Sequence, residues 1–123
     1  METESKKIVA AVDDLFFGVK ISEAARRAGV PVQFVKDGRA LMESAAEKPA
    51  LIIIDLNCAA VKPLESIGKL KSNPELKKIS VLGYVSHVQG ELTQEARNLG
   101  CDMVVARSAF SQNLFNLLKR HAG

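Results

Sequence analysis

Three aspartates stand where apolar runs end. Asp13-Asp14 follow Ile8-Val9-Ala10-Ala11-Val12, and Asp55 follows Leu51-Ile52-Ile53-Ile54. Singly, each has a bland explanation. Asp is common where strands turn into loops, and Asp14 is well placed to cap a following helix. Together they suggest chemistry. Three carboxylates held in one crevice repel each other, and some would titrate high unless a cation neutralised them. A hard divalent ion such as Mg2+ answers that need, since it takes carboxylates, a backbone carbonyl and several waters.

The elements that must bring these acids together are legible along the chain. The run Leu51–Ile54 is too short for a helix and does not alternate, which is the pattern of a strand buried on both faces of a parallel sheet. Similar runs occur at Ile8–Val12, Val30–Val35, Ile79–Val85 and Met103–Ala106. Helical spacing fills the gaps. Phe17, Ile21, Ala24, Ala25 and Ala28 share a face, with Gly29 as the stop. Asp37 can cap a helix through Leu41, Met42 and Ala45 that ends before Pro49. Leu64, Ile67 and Leu70 mark a third helix ending near Asn73-Pro74. Leu92, Ala96 and Leu99 mark a fourth, stopped by Gly100. Leu114, Leu117, Leu118 and His121 mark a fifth, starting near Ser111.

This strict (βα)5 alternation predicts an α/β fold: a doubly wound, five-stranded parallel sheet with right-handed crossovers and helices on both faces. In a sheet of order 2-1-3-4-5, strands 1 and 3 are neighbours at the switch point, and ligands bind at the carboxyl ends of such strands. Asp13, Asp14 and Asp55 would then converge there.

Composition narrows the class. The chain has 123 residues, 47% hydrophobic and 25% charged, with a net charge of +3. That suits one domain spanning residues 1–123, with no output domain expected. No apolar run approaches the about 20 residues of a membrane span, and the charged start lacks a secretory h-region, so the expected compartment is the cytoplasm. Cys58 and Cys101 lack CxxC spacing and read as reduced thiols in or near the core. His87 and His121 form no ligand pair. With no Trp and one Tyr there is no stacking ladder for nucleic acid, so no direct nucleic-acid or membrane partner is expected.

The segments IVAAVDDLFF, LIIIDLN and GCDMVVARSAF, in this order and spacing, resemble the receiver (CheY-like) domain of bacterial two-component response regulators across nearly the whole chain. The resemblance implies a stand-alone receiver with the flavodoxin-like receiver fold. Asp55 would be the phosphoacceptor, taking a phosphoryl group from a histidine kinase or phosphotransfer protein by nucleophilic attack of its carboxylate. Asp13, Asp14 and Asp55 would hold Mg2+ with the backbone carbonyl of Asn57. The protein would not be an enzyme beyond self-phosphorylation and self-dephosphorylation on Asp55, and it would signal by binding a downstream protein. Phe16 reads first as packing under the loops of the site, and second, by the resemblance, as marking a docking patch for the phosphodonor.

Several positions depart from the family. Arg107-Ser108 stands where the family has Lys-Pro, and a planar guanidinium is not a point ammonium. At the end of the fourth strand the family has a switch Thr or Ser. Gapless alignment puts Val85 there, and a slip of one residue puts Ser86 there instead, a possible switch hydroxyl. Val104 replaces the usual aromatic partner of that switch. His87 and Tyr84 read as a loop residue and a core or half-buried residue. These departures motivate a second reading, a pseudo-receiver that works as a phosphate-independent interaction module. A flavodoxin-like cofactor binder is disfavoured, because Asp-Asp-Leu-Phe-Phe after the first strand offers no phosphate cradle.

Overall fold

A computed structural model describes residues 7–86 and 90–122. Five strands, β1 (Ile8–Ala11), β2 (Val32–Val35), β3 (Leu51–Asp55), β4 (Ser80–Val85) and β5 (Met103–Ala106), alternate with α1 (Leu15–Ala28), α2 (Gly38–Ala45), α3 (Pro63–Ser72), α4 (Gly90–Asn98) and α5 (Arg107–Ala122). A short 3-10 turn, Ala59–Val61, precedes α3. All strand pairings are parallel and the order is β2-β1-β3-β4-β5, the expected doubly wound sheet.

The central strands explain their own composition. β1 and β3 are buried along their whole lengths, so each presents apolar side chains to both faces. Val9, Ile52, Ile54 and Val81 join Leu41, Ile67, Leu70 and Ala96 of α2, α3 and α4. Ile8, Ala10, Ile53 and Leu82 join Phe17, Ile21, Phe110, Leu114 and Leu118 of α1 and α5. The membership alternates along β3, Ile53 to one layer and Ile52 and Ile54 to the other, as a strand's period of two requires.

Local signals set the helix ends. Asp14 accepts from the Phe17 amide at 3.2 Å and Asp37 from the Ala40 amide at 2.8 Å, the N-cap bond that satisfies an orphan donor. Gly29 closes α1 at φ 76°, a left-handed conformation that suits glycine. The buried face of α1 is Phe17, Ile21, Ala24, Ala25 and Ala28, the face its spacing predicts. Asp102 ties β5 to β4 by accepting from Lys71 Nζ and the Val81 amide, both at 2.8 Å. Cys58 and Cys101 are free and buried.

Two expectations need correction. α5 begins at Arg107, directly after β5, and not near Ser111. With Ser rather than Pro at position 108, Arg107 does not precede a proline, which would disfavour helical backbone there, and it can open the helix itself. Leu99 was expected on the buried face of α4, but it lies past the helix end and is 39% exposed.

Candidate functional site

Asp55 is the last residue of β3 and the one buried carboxylate among the described residues, 8% exposed. Its position follows from the strand: four buried aliphatic residues fix the backbone, and the fifth side chain emerges at the carboxyl end, between β1 and β4. Its Oδ1 accepts from the Asn57 amide at 2.9 Å. Burial pushes the Asp55 carboxyl above its ordinary range. The Asn57 amide and the Arg107 charge pull it back only in part, and the charge of Asp14 adds to the rise. A carboxylate desolvated in this way is less stabilised by solvent than a surface one.

The acid pair follows β1. Asp14 is half-buried and Asp13 is exposed. Both Asp14 oxygens are engaged. Oδ1 caps α1 through the Phe17 amide, and Oδ2 accepts from Arg107 Nη1 at 2.8 Å. The ion pair is partly solvated on both sides. Arg107, at the first position of α5, therefore reaches across the strand ends to the acid pair, with its guanidinium carbon 5.8 Å from the centre of the Phe17 ring. It also lies close enough to Asp55 to favour that carboxylate's charged form.

Asn57 contributes more than its sequence position suggested. Besides its amide bond to Asp55, its side-chain Oδ1 accepts from the Ser86 amide at 2.8 Å. It thus ties the loop after β3 to the end of β4. Ser86 lies just past β4 and is exposed, whereas Val85 is the last strand residue and is packed in the layer with α2, α3 and α4. Val104 is buried in that same layer. His87 lies outside the described residues. Phe16 is 85% exposed beside the acid pair, with Leu15 and Val19 also exposed. Leu15 and Val19, but not Phe16, line a groove of about 450 Å³ along α1 that Phe34 and Lys36 close on the β2 side.

The sequence leaves Tyr84 as a core or half-buried residue, and the structure buries it fully. It is also the register partner of Asp55, and its ring packs against Phe17 at 4.8 Å and Phe110 at 5.5 Å. Among the described residues its hydroxyl has no hydrogen-bond partner at full bonding geometry. Burial first, then the charges of Asp55 and Asp14, push its acidity far down, because a phenolate there would be both dry and repelled. The phenol comes near the Asp55 carboxylate without closing a hydrogen bond of full geometry. The signal that could have found it is parity: Leu82 and Tyr84 share a face, and that face is the one that carries Ile53 and Asp55.

A divalent ion is the group that such an acid cluster suggests. The donors are all hard oxygens, which suits Mg2+. As arranged, no group of three His, Cys, Asp or Glu side chains among the described residues is spaced to hold a metal ion. Arg107 fills the cationic role at Asp14.

No protein-family model matches the chain, and a search of curated proteins finds no relative. Solved structures are similar throughout. The phosphorylated cyanobacterial phytochrome response regulator RcpA superposes with a TM-score of 0.80 at 27% identity, over 94% of this chain and 90% of that one. A response regulator from Hahella chejuensis gives 0.82 at 18% identity, over 93% and 92%. The chemotaxis response regulator CheY4 of Vibrio cholerae gives 0.79 at 23%, over 96% and 98%. In strand order, helix placement and extent, the chain has the receiver fold of response regulators.

Proposed function

We propose that the chain is a receiver that accepts a phosphoryl group on Asp55 and signals its phosphorylation state by binding a partner protein. The observation that carries this reading is the burial of Asp55 alone among the described carboxylates, at the strand end between Asp14 and Arg107. An oxygen of Asp55 attacks the phosphorus of a phosphohistidine or of acetyl phosphate. The new O–P bond forms as the bond from phosphorus to the donor breaks, and the donor nitrogen or acetate leaves with that electron pair. Arg107 offsets negative charge at the site.

Asp13, Asp14 and the Asn57 carbonyl are the groups that would hold Mg2+ beside Asp55. The ion would supply charge neutralisation for the transferring phosphoryl group. A response regulator of the same fold, Rcp1, 20% identical, is known in an Mn2+-bound form, which agrees with a divalent-metal requirement. The donor would be a histidine kinase or phosphotransfer protein of the cytoplasm, and the exposed Leu15, Phe16 and Val19 offer it an apolar surface beside the acids.

A second reading, the phosphate-independent pseudo-receiver, has one specific observation in its favour: Arg107 already neutralises Asp14. Intact-mass spectrometry after incubation with acetyl phosphate, with and without Mg2+, separates the two. We expect a phosphoryl adduct on the wild type that needs Mg2+ and is lost in Asp55→Asn. A folded wild-type protein that gains no adduct would leave the pseudo-receiver standing.

A further inference from the structure

A phenylalanine at position 84 would fill the space between Phe17 and Phe110 as well as a tyrosine does. The tyrosine carries a hydroxyl into a place sealed from water, where a polar group without a partner is costly. Buried tyrosine hydroxyls usually find a partner. Here none is closed, and the group faced is the carboxyl of Asp55. The facing is fixed by the sheet. Tyr84 and Asp55 are paired in register, and both continue the β3 and β4 side that carries Ile53 and Leu82 toward α1 and α5. The neighbouring strand-end residue, Val85, brings no hydroxyl and packs in the opposite layer, and Ser86 is exposed past the strand.

We propose that the Tyr84 hydroxyl is a hydrogen-bond donor to the Asp55 carboxyl group and that it shortens the life of a phosphoryl group carried there. This rests on the acceptor role of Asp55. A small adjustment of the carboxyl group or the phenol closes the bond. The donor favours whichever state of Asp55 has more negative charge on its carboxyl oxygens, because charge-assisted hydrogen bonds are the stronger ones. The free carboxylate has more such charge than the acyl phosphate. In hydrolysis, water attacks phosphorus, the Asp55 O–P bond breaks, and its electron pair returns to the carboxylate. Inorganic phosphate leaves with the oxygen from water. The phenol stabilises that returning charge and keeps its own proton throughout.

The test uses a property of the composition. The chain has one tyrosine and no tryptophan, so tyrosine emission reports on residue 84 alone. A phenol bonded to a carboxylate is quenched, so we expect emission to rise when Asp55 is phosphorylated by acetyl phosphate, and to be higher in Asp55→Asn than in the unmodified wild type. In Tyr84→Phe, which keeps the ring and loses one oxygen, we expect the phosphoryl group to live about three to ten times longer, the scale of one charge-assisted hydrogen bond partly lost. Wild-type labelling with unchanged emission, together with a Tyr84→Phe lifetime within about twofold of wild type, overturns the Tyr84 role while leaving Asp55 as the acceptor. A wild type that takes no phosphoryl group overturns both. If Tyr84→Phe does not fold, unchanged emission on labelling of the wild type still overturns the proposal.

Discussion

Arg107 is the residue in which this chain departs furthest from the family it resembles. Its guanidinium holds Asp14 Oδ2 at 2.8 Å, and it stands over the edge of the aromatic group formed by Phe17, Tyr84 and Phe110. A divalent ion entering the acid pair must compete with it for that oxygen. The pair is partly open to water, so its worth is modest, within about 1 kcal/mol. We therefore expect Arg107→Gln to bind Mn2+ about two- to fivefold more tightly than wild type, the same modest energy read as an affinity. Electron paramagnetic resonance of free Mn2+ during titration measures it without any phosphoryl chemistry. Equal or weaker binding by the variant would show that the ion and the guanidinium do not share Asp14. The same residue scale explains Asn57. Its backbone amide and side chain each hold a different neighbour, so replacing it would loosen both the acceptor and the end of β4.

At the scale of elements, the cap of α1, Asp14, belongs to the acceptor site, whereas the cap of α2, Asp37, does not. Asp37 accepts the Ala40 amide at the start of α2 and follows β2, which β1 separates from the β3 strand of Asp55. Asp37→Ala should cost about 1 kcal/mol of unfolding free energy, read in urea, and should leave labelling of Asp55 unchanged. Loss of labelling would mean that α2 helps to build the site. Much of this level was legible in the sequence. The acids could be found because each follows an unbroken apolar run, and α1 could be read residue by residue because its five buried positions keep helical spacing. The start of α5 was missed because Arg107-Ser108-Ala109 show no apolar periodicity. Phe110, buried one turn before Leu114, was the signal available. Tyr84 was missed for a deeper reason. Whether its hydroxyl meets Asp55 or points away is set by strand register, and a slip of one residue sends every side chain of a strand to the opposite face.

For the molecule as a whole, the sheet order sets the site, and the site costs the fold stability. The order β2-β1-β3-β4-β5 puts the ends of β1 and β3 side by side, with β4 and the start of α5 on the far flank. That convergence places a carboxylate where water is scarce. Burial is the main reason the Asp55 carboxyl titrates above its usual value, against the weaker help of the Asn57 amide and Arg107. A carboxyl with a raised native pKa holds its proton more tightly in the folded chain than in the unfolded one. Between the two pKa values the native state binds more protons, so stability falls as pH rises through that window. Wherever it is ionised, Asp55 is therefore a net burden on the fold, relieved as the pH drops toward the ordinary value of 3.8. Asp55→Asn, which keeps an oxygen for the Asn57 amide, should be more stable than wild type at pH 7. The gap should narrow steadily as the pH falls through the native pKa of Asp55. Paired urea melts across pH 4 to 8 measure it. A wild type that equals or exceeds Asp55→Asn in stability at pH 7 would mean that Arg107 and the Asn57 amide fully compensate the buried charge, and that Asp55 is not held in the strained state that a reactive acceptor needs.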